Sequence, residues 1–286
     1  MTQHQTVRDA VSKAYASAVT APQDRPRGCC SGAVQKGVVV KLAGYSKEEL
    51  DALPPEAVVN SFGCGNPLAL SKVKEGDVVL DLGSGAGIDV LLAGKKVGAT
   101  GKAIGVDMTD AMLAKANENI AASGLTNVEV RKGTIEEMPV DSASVDWVIS
   151  NCVINLSPDK PKVFSEIARV LKPGGRMIVS DLVVKDLPPW VREDQAMYNS
   201  CISGAIDEDE YLAGLRDAGL VDVEVCERIV YDATQLTGLI ESELPGQAAA
   251  IECCASAAGL GSIADVAKSL AGKVWSAKFH ATKPNA

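Results

Sequence analysis

The sequence predicts a doubly wound α/β fold, because strand-like and helix-like segments alternate through its middle. The strand-like runs read VVLDLG, AIGVDM, VEVRKG, WVISN and RMIVSDL in chain order. Helix-like segments lie between them, notably residues 110–123 and 159–171. This alternation is typical of βαβ units, which place neighbouring strands parallel in one sheet. Ligands of such sheets bind outside the carboxyl ends of the strands, so we expect the functional residues there.

The pattern divides the chain into three predicted parts. Residues 1–70 form an N-terminal extension that opens as a helix and continues into a stretch with glycine, proline and cysteine. Residues 71–231 hold the alternating pattern, then an insertion after the fifth strand, a helix at 207–218 and a strand near Val221–Val230. Residues 232–286 are predicted to form a small C-terminal domain that ends in the strand-like run VWSAKFHAT.

Charge and composition exclude several classes of function. A net charge of −9 argues against a nucleic-acid partner, because affinity for nucleic acid comes mainly from basic side chains that neutralise phosphates. The opening MTQHQTVRDA is polar, and the chain lacks a run of about 18 apolar residues that could span a membrane. We therefore expect a soluble, cytoplasmic protein without a membrane partner, and we expect a monomer. The two histidines, His4 and His280, lie near the termini, which disfavours a histidine-based triad or zinc site.

A glycine-rich loop is predicted to bind the cofactor. In VVLDLGSGAGID, a strand ends near Asp81 and the glycines at 83, 85 and 87 lead into a helix. Glycine allows the backbone to turn sharply and a ligand to approach the main chain. The G-x-G-x-G spacing differs from the G-x-G-x-x-G spacing of dinucleotide sites. The next strand ends at Asp107, whose carboxylate is placed to accept hydrogen bonds from ribose hydroxyls.

These motifs, together with KGTIEEMP and LKPGG, resemble the class I methyltransferases that use S-adenosylmethionine. The resemblance covers roughly residues 73–230. It implies a Rossmann-like sheet of seven mostly parallel strands with one antiparallel edge, adenine beside Thr134 to Glu136, and methionine near Asp81 and Gly83. The cofactor-binding residues that it implies are Asp81, Gly83, Ser84, Gly85, Gly87, Asp107, Met108, Thr134, Ile135, Glu136 and Asn151.

Three of the eight cysteines lie where the crevice is expected. Cys152 directly follows the fourth strand, Cys64 stands in the loop SFGCGNP ahead of the sheet, and Cys201 belongs to the insertion after the fifth strand. A thiol is a poor hydrogen-bonding guide for a methyl acceptor but a good ligand for a soft ion. The alternative is that these cysteines are small core residues, since free cysteine is among the most buried residue types.

The segments SNCVINLSPDK, SFGCGNP and CISGA, with the pair Cys29-Cys30, resemble the arsenite methyltransferases. That resemblance implies that trivalent arsenic is held by Cys64, Cys152 and Cys201, and that Cys29 or Cys30 exchanges disulfides with Cys64. It further implies arsenite as the substrate, methylated arsenic as the product, a role in detoxification, and a thiol reductant for turnover, either glutathione or a thioredoxin-like protein. Because arsenic retains a lone pair, the reaction needs no general base, which fits the scarcity of histidine.

Other functions stay open at the level of sequence. The first is a methyltransferase for a small organic acceptor, although the aromatic content of only 4% disfavours an aromatic acceptor pocket. The second is a thiol-based protein that senses or sequesters arsenic, and another soft ion such as mercury is a further possibility. Cys226 alternates with apolar residues in VDVEVCERIV and is predicted to lie in the core. Cys253 and Cys254 are interpreted as buried or incidental thiols of the C-terminal part, with a role in capturing arsenic as the alternative.

Overall fold

The computed structural model describes residues 2–20, 45–60, 65–237 and 262–285. Within these residues, seven strands form one sheet in the order β3-β2-β1-β4-β5-β7-β6. The strands are β1 (Val78–Leu82), β2 (Lys102–Asp107), β3 (Val128–Lys132), β4 (Val145–Asn151), β5 (Leu171–Val184), β6 (Val221–Val230) and β7 (Val274–Thr282). The neighbours β3-β2, β2-β1, β1-β4 and β4-β5 pair in parallel. The predicted doubly wound fold is confirmed.

Helices whose bounds are described connect and cover the strands. They are α1 (Gln3–Thr20), α2 (Lys47–Asp51), α3 (Pro55–Val59), α4 (Pro67–Leu70), α5 (Ile88–Val97), α6 (Asp110–Ser123), α7 (Lys160–Val170), α8 (Pro189–Glu193), α9 (Gln195–Asn199), α10 (Glu208–Asp217) and α11 (Ile263–Leu270). A short 3₁₀ helix, Ile154–Leu156, follows β4.

Helix α7 shows how the local sequence sets these boundaries. The side chain of Asp159 accepts a hydrogen bond from the backbone N–H of Lys162, and a proline occupies the first turn, where a missing N–H costs nothing. The helix then buries Val163, Phe164 and Ile167 along one face. That face packs in the core together with residues of β4 and β5, so the helix covers the sheet beside the fourth strand.

The C-terminal part differs from the prediction. Strand β7 runs antiparallel to β5 and β6 and lies between them, one position in from the edge of the sheet. The antiparallel strand is therefore not the outermost one, because β6 precedes it in the chain and takes the edge. The predicted boundary at residue 231 also assigns to a separate C-terminal domain a strand that belongs to the main sheet.

The order in which successive strands are added to the sheet reverses between β1 and β4. The first three strands progress outward from β1, whereas β4 pairs with the opposite side of β1, with Leu82 opposite Ser150. In open α/β sheets, a crevice forms at such a reversal because the adjoining loops leave in opposite directions. The loops that follow β1 and β4 therefore border one crevice.

No helix in the parts of the chain that the structure describes is long and apolar enough to cross a membrane.

Candidate active site

A pocket opens at the carboxyl ends of the first four strands, where the fold predicts the ligand. Most of the predicted cofactor residues line it. The lining residues from the sheet loops are Asp81, Gly83, Ser84, Gly85, Asp107, Met108, Thr134, Ile135, Glu136, Asn151 and Cys152. Gly87 does not line the pocket but forms the N-cap of α5 with φ of 97°, a left-handed backbone that suits glycine.

The loops after β1 and β4 touch each other at Gly83. A Cβ built on this glycine would lie 2.3 Å from Cγ2 of Val153, and the residue has φ of +64°. Both the backbone conformation and the lack of space therefore require glycine at this position. This close approach brings the residue after Cys152 against the predicted cofactor loop.

Two buried residues, Asp81 and Asp89, and the half-buried Asp107 make one side of the pocket acidic. Burial, with the neighbouring charges of Asp89 and Asp107, raises the pKa of Asp81 well above its ordinary value. Burial also raises the pKa of Asp89 to about 6 and raises that of Asp107. Because carboxyl groups in such a cluster ionise more readily beside a positive charge, the pocket favours a cationic ligand.

Asn151 joins this acidic side to the loop that precedes the sheet. Its side-chain nitrogen donates to the hydroxyl of Tyr45 at 3.0 Å, to Asp89 Oδ2 at 3.2 Å and to the carbonyl of Gly65 at 2.5 Å. Its side-chain oxygen accepts from the N–H of Gly65 at 3.1 Å. Tyr45 in turn donates to Asp89 Oδ1 at 2.7 Å. Asn151 therefore fixes the position of the Asp89 carboxyl relative to the end of β4.

Asp107 organises the glycine-rich loop through its own carboxylate. Oδ2 accepts from the backbone N–H of Gly85 at 3.0 Å, and Oδ1 accepts from the N–H of Thr109 at 2.8 Å. Each carboxylate oxygen can accept more than one hydrogen bond, so these contacts leave room for ribose hydroxyls. The carboxylate thus ties the loop after β1 to the end of β2.

Two buried polar atoms in the pocket indicate that a polar ligand belongs there. Asp81 Oδ2 and Ser84 Oγ are buried without a hydrogen-bond partner among the described residues, and both residues line the pocket. Leaving such atoms unpaired costs free energy, which a ligand with donor groups recovers. S-adenosylmethionine carries a sulfonium, an ammonium group and hydroxyls, so the acidic side and these two atoms fit it. The residues that would hold S-adenosylmethionine are Asp81, Asp89, Asp107, Ser84 and Asn151.

Glu136 is held in place at the end of the pocket where the family resemblance implies adenine. Its Oε1 accepts from the hydroxyl of Ser157 at 2.6 Å and from Nε of Arg8 at 3.3 Å. Its side chain is only 4% exposed. Part of its hydrogen-bonding capacity is therefore used within the protein.

The two described candidate cysteines lie against each other beside this pocket. Sγ of Cys201 donates to the backbone carbonyl of Cys152 at 2.8 Å, across 49 positions in the sequence. Cys152 lines the pocket, and both residues are buried in one apolar cluster. Cys152 has φ of 60° and Cys201 has φ of 63°, a conformation that few residues other than glycine adopt. Strained backbone of this kind is concentrated at functional sites.

The remaining predicted cysteines lie outside the described residues: Cys29, Cys30 and Cys64, and also Cys253 and Cys254. Among the residues that are described, no group of three His, Cys, Asp or Glu side chains is arranged to hold a metal ion. The three-cysteine arsenic site therefore stays a prediction, of which the structure shows the proximity of two members. The prediction that Cys226 lies in the core is wrong, because this residue is exposed on the edge strand β6.

Sequence reasoning missed several residues of the pocket. Asp89 carried a detectable signal, since it is an acidic residue directly after the glycine-rich loop in an otherwise apolar stretch. Arg8 and Tyr15 carried none, because each reaches the pocket from a segment distant in sequence. The same holds for Tyr45, which does not line the pocket but hydrogen-bonds to Asp89.

Comparison with known proteins identifies the fold's family. A family model described as a methyltransferase domain matches residues 73–219, which is just over half of the chain.

Relatives with greater similarity share a narrower description. A curated arsenite methyltransferase from Halobacterium salinarum is 40% identical over 77% of this chain and 59% of its own length. Another from Aquipseudomonas alcaligenes is 37% identical over 65% of this chain and 56% of its own length. The chain thus spans little more than half the length of these two curated relatives. The crystal structure of an arsenic(III) S-adenosylmethionine methyltransferase from Chlamydomonas reinhardtii is 31% identical, with a TM-score of 0.61 over 87% of this chain and 74% of that one.

Proposed function

Because the chain belongs to the family of arsenic(III) S-adenosylmethionine methyltransferases, we propose that it transfers methyl groups from S-adenosylmethionine to trivalent arsenic. The observation that carries this proposal is the contact between Cys201 and Cys152. It places the reduced thiol of Cys201 against the backbone of Cys152 at the carboxyl end of β4, and Cys152 lines the cofactor pocket. A soft ion held there would lie next to the methyl donor.

The chemistry asks little of the protein beyond binding and orientation. When bound, S-adenosylmethionine supplies an electrophilic methyl group on its sulfonium. The acidic side of the pocket, formed by Asp81, Asp89 and Asp107, stabilises the positive charge of this ligand. Cysteine thiols replace the hydroxyl groups of arsenous acid, and each exchange forms one As–S bond and releases one water molecule. Orientation of two reactants in this way supplies up to about 7–11 kcal/mol of the barrier reduction.

We assign the third arsenic ligand to Cys64, which the family resemblance implies and which lies outside the described residues. Gly65, next in the chain, hydrogen-bonds to Asn151, the residue before Cys152, which supports this assignment. Cys29 and Cys30 are proposed to exchange disulfides with Cys64 during turnover.

The state of Cys152 supports a requirement for a reductant. This residue is disulfide-bonded in the structure. Only a thiol or thiolate binds arsenic, so the bond has to be reduced by exchange with another thiol before the site is complete. Glutathione or a thioredoxin-like protein of the cytoplasm would serve, and the methylated product would account for a role in detoxification. The protein is proposed to act as a monomer.

The proposed activity is tested by the products. Purified protein is incubated with methyl-labelled S-adenosylmethionine, arsenite and a dithiol, and arsenic species are separated by chromatography with element-specific detection. We expect labelled mono- and dimethylated arsenic. Arsenic that binds without acquiring label would indicate a sensing or sequestering protein, and label transferred only to an organic acceptor would indicate the other alternative.

The three proposed ligands differ in their expected roles. Methyl transfer to the lone pair converts arsenic to the pentavalent state, and two thiols that form a disulfide supply the two electrons that return it to trivalent monomethylarsenic. This species has only two exchangeable positions, so two cysteines suffice to hold it. Cys152→Ser and Cys201→Ser should therefore lose activity on both arsenite and trivalent monomethylarsenic. Cys64→Ser should lose activity on arsenite only.

The matched control is Cys226→Ser, which removes an exposed thiol on β6 and should leave both activities unchanged. Product formation by each variant on each substrate tests these assigned roles, and circular dichroism checks that each variant is folded. Activity of Cys152→Ser on either substrate would contradict the assignment.

A further inference from the structure

Helix α1 forms one wall of the cofactor pocket. Arg8, Val11 and Tyr15 line the pocket and are spaced by three and four positions, which places them on one face of the helix. Val11 is 1% exposed and packs in the same apolar cluster as Cys152 and Cys201. One helix face therefore contacts both the cofactor pocket and the surroundings of the cysteines.

The first turns of α1 are attached at the adenine end of the pocket. Nε of Arg8 lies 3.3 Å from Oε1 of Glu136, whose side chain is almost fully buried. The hydroxyl of Ser157 donates to the same oxygen at 2.6 Å. The Glu136 side chain is therefore restrained by the protein before Arg8 of the helix contacts it. Arg8 is also the one basic side chain among the described residues that line this pocket. The Glu136 carboxylate is shielded from water and the Arg8 side chain is only 22% exposed, so salt screens this pair less than it screens a fully exposed one.

The later turns of α1 are attached to the cysteine-bearing segment. The hydroxyl of Tyr15 donates to the backbone carbonyl of Asn199 at 3.1 Å. Asn199 is the last residue of α9, is 4% exposed, and lies two residues before Cys201. A displacement of this carbonyl would also move Cys201, whose backbone is already held in the left-handed region.

We propose that α1 acts as a strap that transmits occupancy of the cofactor pocket to the Cys201 segment, with Tyr15 as the positioning residue. A ligand that contacts the inner face of α1 favours the docked helix, and the docked helix fixes Asn199 through Tyr15. Linkage requires the reverse as well, so arsenic bound by the cysteines tightens cofactor binding by the same factor. This inference rests on the proposed function, because its two ligands are S-adenosylmethionine and arsenite.

The test measures, in the absence of arsenic, whether cofactor binding affects the segment that carries Cys201. Hydrogen exchange of the full chain is followed by mass spectrometry with and without S-adenosylmethionine, for peptides that cover residues 3–20 and 195–202. The variant is Tyr15→Phe, which removes the hydroxyl and keeps the ring. The matched control is Ser17→Ala, since Ser17 is exposed on the same helix and its hydroxyl, among the described residues, bonds only to the carbonyl of Lys13.

In the wild type, we expect the cofactor to slow exchange in both segments, by about fivefold or more at 195–202. In Tyr15→Phe, slowing should persist at 3–20 and disappear at 195–202, while Ser17→Ala behaves as the wild type. The KM for arsenite should likewise rise several-fold in Tyr15→Phe relative to Ser17→Ala.

Slowing at 195–202 that persists in Tyr15→Phe overturns the inference, as does cofactor binding to the wild type without any slowing there. Titration calorimetry of S-adenosylmethionine binding on the same samples distinguishes failure of the strap alone from failure of the proposed function. A protein that binds the cofactor and methylates arsenic but shows no transmission contradicts the strap alone. A protein that does not bind the cofactor contradicts the proposed function and the strap together.

Discussion

At the scale of single residues, Asp107 has a double role in the pocket. Its two oxygens accept hydrogen bonds from the N–H groups of Gly85 and Thr109, which fixes the glycine-rich loop against the end of β2. The same oxygens are the acceptors that the sequence assigns to the ribose. Loss of the carboxylate would therefore remove ligand contacts and release the loop.

Asp107→Ala is expected to weaken binding of S-adenosylmethionine by roughly 1–3 kcal/mol, because hydrogen bonds to a charged acceptor are lost. Titration calorimetry measures the dissociation constant. The control is Asp110→Ala, an exposed carboxyl three residues later that pairs with Lys132, and it should bind as the wild type does. Equal cofactor affinity in Asp107→Ala, or tight binding of NAD by the wild type, would contradict the assignment of this pocket.

At the scale of elements, strand β2 and the glycine-rich loop approach each other through Gly105 and Ser84. A Cβ built on Gly105 would lie 2.5 Å from Oγ and 2.6 Å from Cβ of Ser84. The strand therefore needs glycine here to leave room for the side chain of Ser84, whose buried hydroxyl lacks a partner among the described residues.

Gly105→Ala should displace the loop, lower the unfolding free energy by about 1–3 kcal/mol and weaken cofactor binding, because the added methyl overpacks the contact. Two second-site variants test the cause. Adding Ser84→Gly should restore stability, since it removes the clashing Cβ, whereas adding Ser84→Ala should not. Denaturant unfolding measures all four proteins, and a failure of Ser84→Gly to restore stability would show that the clash with Ser84 is not the reason.

At the scale of the whole molecule, a buried carboxyl makes stability depend on pH. Asp181 lies in β5 and is fully buried. Its Oδ1 accepts from Asn155 at 2.7 Å and from the N–H of Leu182 at 3.0 Å. Burial raises the pKa of Asp181 to about 7, although the nearby charge of Lys160 acts in the opposite direction. The folded protein therefore holds this proton more tightly than the unfolded chain does.

Since the folded-state pKa is the higher one, the stability contribution of Asp181 is fully present below the unfolded pKa and is lost as the pH rises toward 7. The loss is at most about 1.4 kcal/mol per pH unit in that window. Asp181→Asn keeps the acceptor oxygen but cannot ionise, so its unfolding free energy should fall less than that of the wild type between pH 5 and pH 8. The exposed carboxyl of α10 provides the control Asp217→Asn, which should follow the wild type. Urea unfolding at both pH values gives the comparison, and parallel curves for wild type and Asp181→Asn would refute the role of this group.

Much of the site could be predicted because its residues lie at the ends of strands. The periodicity of the apolar runs locates β1, β2 and β4, and parallel strands bring their carboxyl ends to one edge. This argument predicts Asp107 and Cys152 at the ligand-binding edge, and the family resemblance adds Asp81. All three line the pocket. Cys226 was misplaced because alternation with apolar residues does not show whether a strand is central or at the edge of a sheet.

The sequence by itself determined the doubly wound fold and the loop of glycines, because both depend on local backbone preference and on patterns within about ten residues. Only the tertiary structure decided which distant groups meet. The Cys201–Cys152 contact, the bond from Tyr15 to Asn199 and the insertion of β7 between β5 and β6 join residues 45 or more positions apart. Such contacts depend on how the elements pack around the shared core, and no local pattern specifies that packing.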